Sequence, residues 1–293
     1  MYNIREYFLK YLQPVQALNL SILVVVGHYL AYLYLPLWEI ALWVIYGLGV
    51  EHLLVYLRRG RVRYLSYSSL STVFGVMLMT VAFHWWIYAV VIFVALLQKH
   101  ILRIEGRHLF NPSNAALIVL LLFFPDDGGV VFGQLGDTLW FASAVMIVGA
   151  VILWVADRWM IPLIFSISYL VLQYLLIVGY DPTIYLDDIY WRFASVSFVV
   201  FLFYMLTDPR TTPLLHKMQA FFGVGIATVA TLLDLICGYR LQHLFVALFV
   251  LSGLRILAWN TVDIRVKTVL VFVLIVAIIS IESHPPIYFA MDG

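Results

Sequence analysis

The sequence predicts an all-α integral membrane protein: about ten transmembrane helices as two inverted five-helix repeats, plus one extra C-terminal helix. Three observations predict this. The 293 residues are 64% hydrophobic and only 11% charged, whereas soluble domains carry about 25% charged residues. Eleven apolar segments follow one another with only short polar gaps, which leaves no room for a soluble domain. Finally, the basic residues are sorted between alternate gaps, as the positive-inside rule requires.

The elements follow in order. Residues 1–14 form a polar, mixed segment placed in the cytoplasm. The first repeat, 15–125, contains apolar segments 15–36, 38–57, 68–84, 85–104 and 112–124. The second, 135–260, contains 135–156, 160–179, 190–206, 214–238 and 242–260. Segment 266–281 is the extra helix, and the whole of 1–293 reads as one membrane domain. Most segments approach the roughly 20 apolar residues that a bilayer core of about 30 Å demands. Fourteen of the 17 Lys and Arg residues fall in gaps on one side, among them Arg58, Arg59, Lys99, Arg103, Arg107, Arg158 and Arg210. Arg192 and Arg240 fall on the other side, and Arg255 lies within a segment. The N-terminus is therefore expected in the cytoplasm and, with eleven spans, the C-terminus in the periplasm. Asp126, Asp127, Asp181, Asp187 and Asp188 belong to the outer loops. No small-residue cleavage site follows the first apolar run, so no cleaved signal peptide is expected. The single cysteine, Cys237, excludes an internal disulfide and any cluster built on several thiolates of one chain. The formal charge of +1 carries no information about nucleic acid, and the expected surroundings are the lipid bilayer and other membrane subunits.

Two interruptions carry the chemistry. Asn111 is a good N-cap and Pro112 suits the first helical position. The run from Pro112 to Phe124 is 13 residues, roughly 20 Å of helix, too short to cross. A half-helix N-terminus presents unpaired N–H groups and the positive end of a dipole. Two readings stand: a short helix that begins below the headgroups, or a binding site. The second interruption is Met205-Leu206-Thr207-Asp208-Pro209-Arg210-Thr211-Thr212-Pro213. Pro209 disfavours helical geometry at Asp208 and ends the span near Thr207, while Pro213 can begin the next helix. An ordinary Asp-Pro turn at the membrane surface is the plain alternative. Both interruptions open on the same, cytoplasmic, face, so they can build one pocket.

The chain resembles the family of the RnfD subunit of Rnf electron-transport complexes and the NqrB subunit of the sodium-pumping NADH:quinone oxidoreductase. Four blocks carry the resemblance, in family order: Ser69 to Leu78; Lys99 to Arg103 with Arg107 to Leu117, ending in Phe124-Pro125; Met205 to Pro213; and the weaker His243 to Leu248, running on to Asn260. The resemblance implies an inverted-repeat fold, flavin near the membrane, a role in electron transfer with partner subunits, and the bacterial inner membrane. One departure is marked. Family members carry Ser-Gly-Ala-Thr in the outer loop after the Phe-Pro block, and its threonine holds FMN through a phosphoester. Here the loop runs from Phe124 through Asp126, Asp127 and Gly128 to Thr138 without that motif. No covalent FMN is therefore expected. The resemblance is thus to a shortened relative, expected to lack the long N-terminal extension of the B subunit.

The candidate cofactor-binding residues are Asn111, Pro112, Asn114, Thr207, Asp208, Thr211 and Thr212, with Lys99, Arg107 and Arg210 as cationic help and Thr72 from the first block. The expected function is a membrane-embedded electron-transfer subunit that binds flavin (FMN or riboflavin) or quinone non-covalently. The alternative is a channel or transporter for a small substrate on the same fold. Neither a catalytic triad, a nucleotide-binding loop nor a metal motif occurs, so a self-contained enzyme is not expected. Ionisable residues inside apolar runs, Asp234, Arg255, Glu51, His52 and His28, are costly there and often mark function. Glu39 suits the outer interface and Arg255 can snorkel to the cytoplasmic end of its helix.

Overall fold

The computed structural model describes residues 8–60, 66–104, 106–131, 133–136, 139–180, 183–259 and 262–284. Among these residues are twelve α-helices: α1 (Leu12–Leu30), α2 (Leu37–Arg59), α3 (Tyr67–Met79), α4 (Trp85–Ile101), α5 (Pro112–Phe123), α6 (Leu139–Ala156), α7 (Met160–Gln173), α8 (Leu186–Ala194), α9 (Val196–Val200), α10 (His216–Cys237), α11 (Gln242–Leu254) and α12 (Ile264–Glu282). Each of the eleven apolar segments contains helix, and segment 190–206 holds the pair α8 and α9. The protein is an all-α, multi-pass membrane protein. Four described helices, α2, α7 with its extension to Val178, α10 and α12, are long and apolar enough to cross a bilayer. The pair α8 and α9 is bent by 66° at Ser195 and adds a fifth span if counted as one.

Local chemistry explains the ends. The helix α2 stops at Gly60, whose φ of +63° is open to glycine without a Cβ clash. Arg58 and Arg59 occupy its last turn, where the dipole favours positive charge. Ser66 caps α3 through the Ser69 N–H. Two helices widen into π turns, α7 over Tyr174–Val178 and α9 over Phe201–Met205. The second is closed by the Leu206 N–H on the Phe201 carbonyl at 2.9 Å.

Packing follows a recurring order. In the first half α1 packs on α3, α2 on α3 and α4, and α4 on α5. In the second, α6 packs on α9, α7 on α10, and α10 on α11. The halves meet where α5 lies against α11. Small residues permit the closest approaches, as membrane helices require. A Cβ on Gly223 of α10 would lie 3.0 Å from the Ile161 carbonyl oxygen and 3.1 Å from the Phe165 nitrogen of α7. Trp43, fully buried, stacks between Tyr88 and Trp85 with ring centroids 5.9 and 6.1 Å away.

Two details depart from the sequence expectation. The apolar stretch 68–84 does not stay helical. After Met79 it becomes a strand, Thr80–Ala82, paired antiparallel with Gly128–Val130, which satisfies polar backbone of the loops after α3 and α5 with one another. Pro213 does not begin α10. Leu215 is extended and α10 starts at His216, and the Thr212 carbonyl, which a helix begun at Pro213 would use, bonds to Arg107 instead.

Candidate functional site

The two interruptions meet. Asn111 caps α5 by accepting the Asn114 N–H at 3.1 Å. Its side-chain amide donates to the Met205 carbonyl at 3.4 Å and to Asp208 Oδ2 at 3.3 Å. A single side chain thus satisfies the start of one half-helix and the end of the π-turned α9. Asp208 holds its own turn: Oδ1 accepts the Arg210 N–H at 2.9 Å, and its carbonyl accepts the Thr212 hydroxyl at 2.8 Å and the Thr211 hydroxyl at 3.3 Å. Arg107 donates to the carbonyls of Pro209 at 2.6 Å and Thr212 at 3.1 Å. Arg158 reaches the Thr212 hydroxyl at 3.0 Å. The Thr-Asp-Pro loop is therefore clamped from two sides by arginines.

Two cavities open beside this junction. The smaller, about 120 Å³, is lined by Thr72, Asn111, Pro112 and Asp208 among others. The larger, about 620 Å³, is lined by Arg58, Arg59, Lys99, Arg103, Arg107 and Arg210, against a single carboxylate, Glu51. They share Gln13, Ser68, His108 and Arg210. Of the residues expected from sequence, Thr72, Asn111, Pro112 and Asp208 face the small cavity, and Lys99, Arg107 and Arg210 the large one. The other four turn elsewhere. Thr207 is buried and donates to the Phe203 carbonyl at 2.7 Å. Thr211 and Thr212 are buried in the turn. Asn114 donates to the Phe245 carbonyl at 3.2 Å and so ties α5 to α11.

Several lining residues escaped the sequence reading. Lys99 Nζ lies 2.8 Å from Glu51 Oε2, and His100 Nε2 lies 3.2 Å from the same oxygen. Glu51 was marked as a buried ionisable group and Lys99 as a cationic site residue; their pairing, and the place of His100 beside them, were not foreseen. His108 joins both cavities. Its Nδ1 faces the Lys99 carbonyl at 2.9 Å and its Nε2 faces Arg210 Nη1 at 3.3 Å. That geometry needs the neutral tautomer, N–H at Nδ1 and a lone pair at Nε2. Burial first, then the charges of Arg210, Lys99 and Arg103, pull His108 down to about 3. Burial raises Asp208 above the usual carboxylate range, against the opposing pull of the Arg210 N–H and the surrounding arginines. Burial and the neighbouring Arg58, Arg210 and Arg59 lower Arg103.

The remaining ionisable groups divide by end. Arg255 lies near Arg107, Arg158 and Asp208, at the basic end, with its guanidinium 5.4 Å from the Trp259 ring. His28 Nδ1 donates to the Leu35 carbonyl, 3.0 Å away, apart from both cavities. Asp234 lies at the opposite end, with Arg192 and Arg240. Thr138, the one threonine considered for flavin attachment, lies outside the described residues. No group of three or more His, Cys, Asp or Glu among the described residues is arranged to hold a metal ion.

A sequence model described as the NQR2, RnfD, RnfE family matches residues 128–250. The matched stretch contains the Thr207-Asp208-Pro209 loop and the His243 block; the Phe110-Asn111-Pro112 block precedes it and is joined to it by the Asn111 contacts above. No curated protein matches the chain.

Proposed function

We propose, on the premise that the chain is a membrane protein of the NQR2, RnfD, RnfE type as its 128–250 match indicates, that it is an electron-transfer subunit holding a flavin or quinone non-covalently in the large basic cavity. The family match carries the redox half of this reading. The cavity supports the binding half. At about 620 Å³ it falls within the roughly 300–1,000 Å³ of small-molecule sites, whereas the 120 Å³ cavity is too small for a fused ring system. A flavin or quinone accepts electrons and passes them on, and its reduced form carries developing negative charge.

The lining residues suit that charge. Arg103, Arg107 and Arg210 present fixed cations, and a guanidinium donates in a planar fork suited to carboxylate, phosphate or ring oxygens. Glu51 holds Lys99 and His100 toward the cavity wall. Neutral His108 takes the Arg210 Nη1–H at its Nε2 and so orients a cation without adding one. Asn111 and Asp208 hold the floor between the two cavities. We further read α1–α5 and α6–α11 as inverted repeats, supported by the recurring order of helix pairings. Partner subunits supply and remove the electrons in this reading, and the basic end faces the cytoplasm of a bacterial inner membrane.

The test is spectroscopic. Purified full-length protein is titrated with FMN, riboflavin and a short-chain quinone, following flavin absorption and fluorescence. Binding of one of these is expected, with affinity about tenfold lower in Arg210→Gln, since losing a hydrogen bond from a charged donor costs about 1.5–3 kcal/mol. A folded, colourless protein that binds none of the three would overturn the proposal and favour a transporter on the same fold.

A further inference from the structure

The end of the bundle opposite the basic cavity holds a second polar cluster, which the proposed function leaves unused. We propose that Asp234, His243 and Glu282 form a proton-binding site there, and that the bound proton ties the C-terminal helix α12 to the second half of the fold.

The geometry is specific. His243 of α11 is fully buried, and its two ring nitrogens face two different carboxylates. Nδ1 lies 2.6 Å from Asp234 Oδ1 of α10, and Nε2 lies 3.1 Å from Glu282 Oε2 of α12. A neutral imidazole owns one N–H and one lone pair. Placed here, it would aim the lone pair at a carboxylate oxygen. Both contacts become hydrogen bonds only when the trio holds one proton beyond a neutral ring and two carboxylates. Opposite charges on both sides favour placing it on the ring, as imidazolium.

Among the described residues, further charged or titratable groups face the trio, Cys237 near Glu282 among them. From α7, Gln173 donates to Asp234 Oδ2 at 2.6 Å, and Tyr169 accepts from Arg192. From α8, Arg192 lies 3.8 Å from Asp234 Oδ2 and 3.4 Å from the Tyr239 ring centroid. Asp188 acts on Tyr239 from the same helix. Between α10 and α11, the Arg240 backbone N–H donates to Asp234 Oδ1 at 3.0 Å and its guanidinium reaches Glu282 Oε2 at 3.2 Å. Arg240 also donates to the His284 carbonyl at 3.3 Å, and Gln242 reaches Glu282 Oε1 at 3.4 Å. Two arginines thus balance the two carboxylates, so the ring proton is the titratable charge of the cluster. Gln173 Oε1, Arg192 Nε and the Tyr239 hydroxyl have no hydrogen-bond partner among the described residues.

The proton also links elements. Among the described helices, α12 packs on α5 and α11 through apolar side chains such as Leu274 and Ile281. Its polar attachments include Lys267, which donates to the Leu257 carbonyl at 3.2 Å near its start, and at its end Glu282, through His243, Arg240 and Gln242. When the ring loses its proton to water, one imidazole N–H remains for two carboxylates. The Asp234 contact is the shorter, so Glu282 loses its bond to the ring.

The test uses the full-length protein with ¹⁵N-labelled histidine, followed by NMR across the neutral range. The chain has eight histidines, and His243→Gln assigns the relevant signals. At a pH where exposed His84 and His216 are neutral, His243 is expected to carry protons on both ring nitrogens, and to lose one in Asp234→Asn. A His243 that is neutral alongside the exposed histidines would overturn the site. If His243→Gln does not fold, Glu282→Gln makes the assignment by shifting that signal alone. The tie to α12 has its own readout, backbone amide hydrogen exchange in the last turns of α12 at one fixed pH. Several-fold faster exchange in Glu282→Gln supports the tie, and an unchanged rate rejects it. Neither readout depends on flavin or quinone binding.

Discussion

At the residue scale, His108 shows how a neutral histidine is held among cations. The Lys99 carbonyl takes its proton and Arg210 takes its lone pair, so protonation would break the second contact and add charge to a basic wall. The native ring binds its second proton only near pH 3, whereas an unfolded histidine does so near 6.5. Because the folded value is depressed, the unfolded chain binds more protons between those limits, and stability falls as the pH drops through them. In His108→Gln, which keeps a donor and an acceptor, this part of the acid sensitivity should vanish. Thermal unfolding in detergent at pH 7 and pH 5 measures it: the drop in Tm between the two should be smaller in the variant than in the wild type. An equal drop would assign the acid sensitivity to other groups. Asp208 works in the opposite sense. Burial raises it, so it takes up a proton more readily as pH falls than a free aspartate does.

At the scale of elements, α5 and the loop after α9 depend on one another through Asn111. Asn111→Ala removes a helix cap, worth about 0.5–2 kcal/mol, and also frees the Met205 carbonyl and Asp208 Oδ2. The expected outcome is a loss of about 2–3 kcal/mol, the cap plus one hydrogen bond left unmade. Asn111→Asp keeps the cap but places a second carboxylate beside Asp208, and should be nearly as damaging at neutral pH. Denaturant unfolding of both variants checks the order; an Asn111→Asp as stable as wild type would mean that the Asp208 contact contributes little. The half-helix and its cap were legible in the sequence, because Asn-Pro before a short apolar run is a local signal. The same holds for all eleven apolar segments, since bilayer hydropathy acts over whole runs. The three-residue strand Thr80–Ala82 was not legible: so short a stretch shows no alternation, and its partner lies 48 residues away. Nor were the π turns, which follow from packing rather than from residue type.

At the scale of the whole molecule, charge is sorted by end. Arg58, Arg59, Lys99, Arg107, Arg158, Arg210 and Arg255 gather around the cavities, while Arg192 and Arg240 sit with Asp234 and Glu282 at the other end. Sorting of this kind orients a chain during insertion. We therefore expect a reporter fused after Gly293 to be active only when exported, and one fused before Met1 only in the cytoplasm. A C-terminal reporter active in the cytoplasm would reverse the orientation. The basic residues were visible in the sequence as a topological signal. Lys99, Arg107 and Arg210 were expected at one pocket, but Arg58, Arg59 and Arg103 beside them were not, because they come from separate stretches that only tertiary packing brings together. The Asp234, His243 and Glu282 cluster was hidden for the same reason. Asp234 stood out as a charge in an apolar run, but Glu282 sits at a segment end where a carboxylate draws no notice.

The close approach at Gly223 bears on how such a molecule moves. Where two helices touch through side chains, rotamer changes let them slide. Here the glycine faces the Ile161 and Phe165 backbone directly, with no compressible layer between. A side chain at that position would meet backbone on its far side, so Gly223→Ala must part α7 from α10 rather than be absorbed by a rotamer change.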